Sequence, residues 1–254
     1  MKEVKPITTQ IIAHRGASGV APENTLAAFR RAVQEGADGI EFDVHLTKDG
    51  EIVICHDETV DRTSNGMGYI YQLTLEELKR LDFGSWFSPE YEGEKILTLG
   101  EFFEQFAEYD FLINIEIKNS PIFYDGIEQK IWEQLQIYGL QEKVLVSSFY
   151  HRSLQILSQI APSISLGVLC GCGPLEPWSM ISGFQARSLN PNRFFVDREL
   201  IEQCHQMGYQ VFTWTVNNKA EIKQMIEWQV DGIITNYPAL ARSIRDELIN
   251  HPAS

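Results

Sequence analysis

Three acidic residues lie on predicted strands with a spacing that could hold a metal ion. Glu41 and Asp43 are two residues apart in a strand predicted at 40–44, so both side chains point to the same face. Glu116 lies in a strand predicted at 111–118. Carboxylates that share an apolar interior are costly unless a positive charge neutralises them. An all-oxygen set suits Mg²⁺ or Ca²⁺, whereas zinc favours His or Cys ligands. Rim charges paired with Lys and Arg are the alternative, and the spacing alone leaves both interpretations open.

Two histidines, His14 and His56, have the chemistry of an acid–base pair. Both are predicted at strand ends, and imidazoles titrate near neutrality, so one could remove a proton and the other deliver one. Arg15 follows His14 directly and Lys118 lies two residues after Glu116, so both could supply positive charge to a bound phosphate. A structural role is the alternative for any lone histidine. The other histidines are weaker candidates: His45 is predicted in a turn, His205 in a helix, His251 in the tail, and His151 just past a strand end.

Short apolar strands and amphipathic helices alternate along nearly the whole chain. Strands are predicted at 11–13, 40–44, 52–56, 111–118, 144–148, 165–169, 188–190, 210–215 and 232–235. This rhythm predicts parallel strands with crossover helices, and hence an α/β fold of the (β/α)8 TIM-barrel type with one strand surplus or at the rim. A doubly wound sheet is the alternative, but the sequence has no Gly-rich dinucleotide motif.

The connection over residues 57–97 interrupts that rhythm, because it is too long for an ordinary loop. It holds one short helical signal and several aromatic residues: Tyr69, Tyr71, Phe83, Trp86, Phe87 and Tyr91. Loops that follow barrel strands build active sites. We therefore interpret it as a small insertion after the third strand that forms a wall or lid, with a packed subdomain as the alternative. Residues 1–254 are predicted to form one barrel domain, since no linker or composition shift divides them.

The composition excludes several classes of partner. Acidic residues outnumber basic ones by 35 to 21, and a net charge of −14 disfavours binding to nucleic acid. No apolar run approaches the length of a transmembrane segment, and the N-terminus lacks the apolar core of a leader. The four cysteines form neither a disulfide framework nor a zinc motif. A soluble, reduced, cytoplasmic protein is expected.

A series of short motifs keeps one order from about residue 11 to residue 240. The motifs are HRGA at 14–17, APENT at 21–25, GADGIEFDV at 36–44, LTKDG at 46–50, HD at 56–57, DRT at 61–63, NIEIK at 114–118, SSF at 147–149, WTVN at 214–217 and GIITNYP at 232–238. The series resembles the glycerophosphodiester phosphodiesterase family, whose barrels are of the phosphatidylinositol-phospholipase-C-like type.

The resemblance implies metal-dependent hydrolysis of glycerophosphodiesters, such as glycerophosphocholine or glycerophosphoethanolamine, to sn-glycerol 3-phosphate and an alcohol. It implies one divalent cation, Mg²⁺ or Ca²⁺. The implied roles are metal binding for Glu41, Asp43 and Glu116, acid–base catalysis for His14 and His56, phosphate binding for Arg15 and Lys118, pocket walls for Phe149 and Trp214, and ordering of the first loop for Glu23 and Asn24. The three carboxylates, a divalent cation and the two basic side chains together carry one positive charge, which matches a singly charged phosphodiester.

Two alternative functions stay open at this point. A lysophospholipase-D-like phosphodiesterase on lipid-bearing diesters would favour an exposed apolar rim on the insertion and, usually, a membrane segment, and the sequence has no such segment. A barrel that binds glycerophosphodiesters without turnover would not need an acid–base pair. The sequence leaves undecided the leaving alcohol, which histidine is the acid, whether water or the substrate's own hydroxyl attacks, and whether the protein is a monomer or a homodimer.

Overall fold

The computed structural model describes residues 7–173 and 176–251. Within these ranges nine strands and nine α-helices follow one another. The strands are β1 (Gln10–His14), β2 (Gly39–Leu46), β3 (Ile52–Ile54), β4 (Leu112–Ile117), β5 (Val144–Ser148), β6 (Ser165–Cys170), β7 (Ser188–Pro191), β8 (Gln210–Thr213) and β9 (Gly232–Thr235). The helices are α1 (Leu26–Gln34), α2 (Leu75–Arg80), α3 (Leu99–Phe106), α4 (Ile127–Tyr138), α5 (His151–Ile160), α6 (Pro177–Ser182), α7 (Arg198–Gln206), α8 (Lys219–Glu227) and α9 (Pro238–Asn250).

Eight of the strands form a closed parallel barrel. β1 pairs with β2, β2 with β4, each strand from β4 to β9 with the next, and β9 returns to pair with β1. The prediction of a (β/α)8 TIM barrel is therefore confirmed. The surplus strand is β3, which pairs antiparallel with the carboxyl-terminal residues 44–46 of β2 and lies at the rim. β3 ends at Ile54 rather than at 56, so Cys55 and His56 lie beyond its ladder.

Apolar side chains pack on the outside of the barrel and in part of its interior. On the outside, Phe29 of α1 and Phe102 of α3 pack edge to face with ring centroids 5.0 Å apart, and Phe42 of β2 lies against both. Each such buried side chain contributes about 1.5–3 kcal/mol through removal from water. Inside the barrel, four apolar side chains form one small cluster: Ile12, Leu145, Phe212 and Ile234. The acidic inward-facing residues Glu41, Asp43 and Glu116 lie on the carboxyl side of this cluster.

The connection that follows β3 packs around a small core of its own. This core consists of Val53, Cys55, Val60, Ile70, Leu78, Phe83 and Ile96. The helix α2 begins with a capping box in which Thr74 and Glu77 bond each other's backbone. Phe83 is buried as in a packed subdomain, whereas Tyr69, Tyr71 and Trp86 remain exposed. The bounds 57–97 and the single domain over 1–254 stay predictions. Within the described ranges, no helix is long and apolar enough to cross a lipid bilayer.

Candidate active site

Adjacent strands bring the three predicted acidic ligands to one place. Asp43 on β2 lies opposite Glu116 on β4 in the parallel register, and Glu41 lies two residues before Asp43 on the same face. Each of the three carboxylates offers an oxygen within 4.8 Å of the others, and all three side chains are buried. The spacing of the sequence therefore becomes a compact cluster at the carboxyl end of the barrel.

The electrostatics of this cluster fit a divalent cation. Burial, together with the charges of Asp43 and Glu116, raises the pKa of Glu41 well above its usual value. Burial also raises the pKa of Glu116 to about 7, against the opposing effect of Lys118. Burial acts against the charged form of Asp43 too, but Lys118 and Arg15 hold its pKa below the usual range. Three charged carboxylates at this separation require added positive charge, and their all-oxygen chemistry suits Mg²⁺ or Ca²⁺.

A buried amide oxygen beside the cluster adds to this fit. The side-chain nitrogen of Asn24 donates to Oδ2 of Asp43 at 3.3 Å, while its Oδ1 is buried without a hydrogen-bond partner. Asn24 holds a left-handed backbone with φ of 59°. An orphaned acceptor at such a position is costly. It is the type of oxygen that hard cations accept, directly or through water.

The two basic side chains that are predicted to bind phosphate, Arg15 and Lys118, lie against the carboxylate cluster. Nζ of Lys118 is 2.8 Å from Oε1 of Glu116 and 3.4 Å from Oδ1 of Asp43. Nη1 of Arg15 donates to Oε1 of Glu23 at 2.9 Å, and its Nε lies 3.5 Å from Oδ2 of Asp43. The backbone N–H of Arg15 also bonds the Glu41 carboxylate at 3.1 Å. Carboxylates thus hold both basic side chains at the pocket, so neither extends freely into solvent.

The first loop is tightly packed around these residues. Gly16 has φ of 80°, and a Cβ there would come within 2.7 Å of the carbonyl carbon of Ala28. A side chain at that position would push the loop off α1. Thr25 caps α1 by accepting from the N–H of Ala28. The sequence therefore fixes the loop that carries Arg15, Glu23 and Asn24.

The two histidines meet the pocket with different partners behind them. Nδ1 of His14 lies 2.7 Å from Oδ1 of Asn236, and its Nε2 lies 4.0 Å from Oε2 of Glu41. Nδ1 of His56 lies 2.6 Å from Oδ1 of Asp57. Because a carbonyl or carboxylate oxygen can only accept, each Nδ1 donates and each Nε2 is left for the pocket. Burial and the charge of Arg15 lower the pKa of His14 to about 4, and burial lowers the pKa of His56.

A small cavity of about 100 Å³ lies between these groups. Its lining includes His14, Arg15, Glu41, His56, Glu116, Lys118, Phe149 and Trp214 of the predicted residues, with Asn114 and Ser147 added. The rings of Phe149 and Trp214 meet edge to face with centroids 5.4 Å apart, and the indole N–H donates to the carbonyl of Asn190 at 2.8 Å. Asp43, Glu23 and Asn24 lie directly behind this lining. The cavity has the size of a small polar ligand.

Comparison with known proteins assigns the chain to a family. The model of the glycerophosphoryl diester phosphodiesterase family matches residues 14–240. The chain belongs to this family. A glycerophosphodiester phosphodiesterase of Caldanaerobacter subterraneus is 50% identical over 91% of this chain and 95% of its own length. Another, from Bacillus altitudinis, is 41% identical over 94% of this chain and 99% of its own.

A solved structure of an Oleispira antarctica phosphodiesterase has the same fold. It is 33% identical, has a TM-score of 0.85, and covers 94% of this chain and 97% of its own. That protein was solved in complex with its product, sn-glycerol 3-phosphate. The resemblance stated from the motifs is thus confirmed, and with it the assignment of the chain to the phosphodiesterases.

Three further residues hold the two histidines in place, and the sequence analysis assigned them no role. They are Asp57, Arg62 and Asn236. Arg62 donates twice to Asp57 and twice to Glu23, at distances from 2.7 to 3.2 Å, and so joins the His56 segment to the first loop. Asn236 fixes the ring of His14. Asp57, Arg62 and Asn236 all stand in the family's motifs, but a role for each needs the three-dimensional arrangement. The adjacency of His56 and Asp57 is the one local signal.

The remaining histidines lie elsewhere, and the turn predicted at one of them is wrong. His45 is buried inside β2 rather than in the following turn, because β3 extends the ladder past residue 44. His151 begins α5 and contacts the carbonyl of Leu169 at 2.9 Å, His205 on α7 pairs with Asp231, and His251 follows α9. The four cysteines, Cys55, Cys170, Cys172 and Cys204, are free thiols.

Proposed function

We propose that this chain hydrolyses glycerophosphodiesters, such as glycerophosphocholine or glycerophosphoethanolamine, to sn-glycerol 3-phosphate and an alcohol. One observation carries the proposal: two histidines with free Nε2 atoms share a cavity with a buried three-carboxylate cluster and two basic side chains. The product found in the Oleispira relative supports the same substrate class. A barrel that only binds such diesters would need no acid–base pair, and two oriented imidazoles therefore favour turnover.

Glu41, Asp43 and Glu116 would hold one Mg²⁺ or Ca²⁺. When bound, such a cation supplies positive charge where charge develops on the phosphate oxygens. Arg15 and Lys118 bind the same phosphate from the cavity wall, where low dielectric strengthens each contact. Phe149 and Trp214 exclude water and limit the space for the organic part of the substrate.

The partners behind the two histidines support different roles for them. His14 is backed by the neutral amide of Asn236 and lies next to Arg15, so it stays neutral and its Nε2 accepts a proton from the attacking hydroxyl. His56 is backed by the carboxylate of Asp57, which stabilises an imidazolium, so its Nε2 delivers a proton to the departing alkoxide. The carboxylate thus acts by orienting and stabilising, not by accepting the proton.

A lipid-bearing diester is the second candidate substrate. Phe123 and Phe194 are strongly exposed on the connections that follow β4 and β7, at the same end of the barrel as the cavity. Such apolar side chains could contact an acyl chain attached to the substrate. The small cavity and the net charge of −14 favour the shorter, water-soluble diester.

A substrate panel distinguishes these functions. Purified protein with Mg²⁺ or Ca²⁺ is incubated with glycerophosphocholine, glycerophosphoethanolamine or lysophosphatidylcholine, and phosphate-containing products are followed by ³¹P NMR. The proposal expects sn-glycerol 3-phosphate from the first two. Preferential cleavage of lysophosphatidylcholine would favour the lipid-bearing class, and binding of glycerophosphocholine without turnover would favour a binding protein. The variant His14→Ala with His56→Ala serves as the control for contaminating phosphodiesterases.

A further inference from the structure

His45 has both ring nitrogens occupied by protein partners. Its side chain is only 2% exposed. Nε2 lies 3.1 Å from the backbone carbonyl oxygen of His56, and Nδ1 lies 2.9 Å from the hydroxyl of Tyr124. Because the carbonyl can only accept, Nε2 carries the hydrogen, and the hydroxyl of Tyr124 then donates to Nδ1. Neither nitrogen remains for a metal or a substrate.

The segment that receives this hydrogen bond needs such support. β3 ends at Ile54, so the strand ladder does not extend to His56. The N–H of Cys55 donates to the carbonyl of Asp43 at 3.0 Å, which fixes the backbone one residue earlier. His45 then holds the carbonyl of His56 itself, and Asp57 holds the His56 ring. The backbone and the ring of His56 are thus restrained by different residues.

Tyr124 is itself anchored to two helices. The ring of Tyr124 meets the ring of His45 edge to face, with centroids 5.6 Å apart. The backbone N–H of Tyr124 donates to Oδ1 of Asn119 at 2.5 Å. The amide of Asn119 donates to Glu128 on α4 at 3.2 Å and to Ser153 on α5 at 3.1 Å. All of these side chains are buried, and every one has a partner in the chain of hydrogen bonds. Such a satisfied buried network is rigid.

We propose that His45 is a positioning residue that fixes the backbone of His56 and is locked in its tautomer by Tyr124. The proposal rests on the proposed function, since it assigns His45 a part in the proton transfer that His56 performs. Its mechanism is geometric: a displacement of a reacting group by about 1 Å can reduce turnover by about two orders of magnitude. His45 acts on kcat through His56 and has no contact with the substrate cavity.

A matched pair of amide substitutions tests this role. In His45→Gln the side-chain N–H₂ lies where Nε2 of the imidazole lies, so the donor to the His56 carbonyl is kept. In His45→Asn the amide is one carbon shorter and reaches only the position of Nδ1. We expect His45→Asn to lower kcat for glycerophosphocholine about tenfold, with KM within about twofold, and His45→Gln to recover most of that loss.

The leaving group provides a readout that a purely structural defect would not move. If His56 is displaced, the loss in His45→Asn must shrink on a glycerol phosphodiester of 4-nitrophenol, whose departure needs little protonation. Tyr124→Phe removes the donor to Nδ1 and should lower kcat less than His45→Asn does. Tyr138→Phe, at a half-buried tyrosine on α4 far from the cavity lining, is the matched control and should leave kcat unchanged.

Several outcomes would overturn the proposal. Equal losses in His45→Asn and His45→Gln, or a loss that is the same for both leaving groups, would show that His45 does not act through His56. If the wild type releases no sn-glycerol 3-phosphate, the proposed function is wrong, and the positioning is then judged by ¹⁵N NMR of the histidine rings. The His56 resonances must shift in His45→Asn and return in His45→Gln, and unchanged resonances would refute the role.

Discussion

Asp57 accepts a hydrogen bond from Nδ1 of His56 at 2.6 Å, and so puts a carboxylate behind only one of the two imidazoles in the cavity. Behind His14 stands the neutral amide of Asn236, at a similar distance of 2.7 Å. Two chemically identical side chains therefore differ in how well they carry a positive charge. This difference is what separates the acid from the base in the proposed mechanism.

Loss of either histidine should lower turnover by about two to four orders of magnitude, the range of general acid–base catalysis. The two losses should differ in their response to the leaving group. A diester of 4-nitrophenol should rescue His56→Ala but not His14→Ala, because the weakly basic 4-nitrophenolate leaves without a proton. Steady-state rates on both esters measure this, and rescue of His14→Ala instead would reverse the assignment.

The Asp57–Arg62 pair should stabilise the fold at neutral pH and lose that effect in acid. Burial opposes the charged form of Asp57, but its bonds to Arg62 and His56 lower its pKa to about 2. A carboxyl group with a lowered folded pKa stabilises above its unfolded pKa, about 3.9, and loses that contribution as the pH falls towards 2. The unfolding free energy of the wild type should therefore exceed that of Asp57→Asn at pH 7.

Urea unfolding at pH 7, 5 and 3 measures this difference. The gap between wild type and Asp57→Asn should be similar at pH 7 and 5 and smaller at pH 3. Asp49→Asn is the matched control for activity, because Asp49 bonds Thr47 and the N–H of Leu75 away from the cavity. It should leave kcat unchanged, whereas Asp57→Asn should lower it. A gap at pH 3 as large as that at pH 7 would contradict the account.

The three-carboxylate cluster should make the cation-free protein less stable as the pH rises. The pKa of Glu116 is raised to about 7, mainly by burial, so the folded state keeps a proton that the unfolded state releases at about pH 4.3. This contribution favours folding below the unfolded pKa and is lost as the pH rises towards 7. In EDTA, Glu116→Gln should therefore have a Tm at pH 7 at or above that of the wild type.

Added Mg²⁺ or Ca²⁺ should reverse that order. A ligand at about a hundred times its dissociation constant stabilises the folded state by about 2.7 kcal/mol. The wild type should show a rise in Tm that Glu116→Gln lacks, as differential scanning calorimetry can measure. An equal rise in both proteins would remove Glu116 from the cation site.

The attacking hydroxyl in the first step should be the glycerol 2-hydroxyl of the substrate. It lies one carbon from the phosphoester, so its attack is intramolecular and the enzyme need not immobilise a water beforehand. A five-membered cyclic phosphate would form first and then be hydrolysed. A 2-deoxyglycerol diester should therefore bind but turn over far more slowly. Hydrolysis at nearly the parent rate, with comparable binding, would establish direct attack by water.

The fold can be predicted from periodicity because each barrel strand is followed by a helix with its own apolar face. β3 is harder to place, since three apolar residues do not reveal whether a strand pairs in parallel inside the barrel or antiparallel at its rim. The predicted position of His45 is wrong for the same reason, because only the pairing with β3 extends β2 that far.

The site divides in a similar way. Glu41, Asp43 and Glu116 are accessible to reasoning from the sequence, because alternation along a strand fixes the face of each side chain. The contact of Arg62 with Glu23 is not, because it joins two loops that are 39 residues apart in the chain. Interactions between loops depend on their closed conformations, which have no periodicity to read.

The central claim is cation-dependent release of sn-glycerol 3-phosphate by the cavity that holds both histidines. The most direct measurement is the initial rate with glycerophosphocholine before EDTA treatment, after EDTA treatment with removal of the chelate, and after addition of Mg²⁺ or Ca²⁺. The account predicts that the chelated protein is inactive, that a divalent cation restores the rate, and that Asp43→Asn stays inactive throughout. Full activity in protein verified to be free of metal would contradict it.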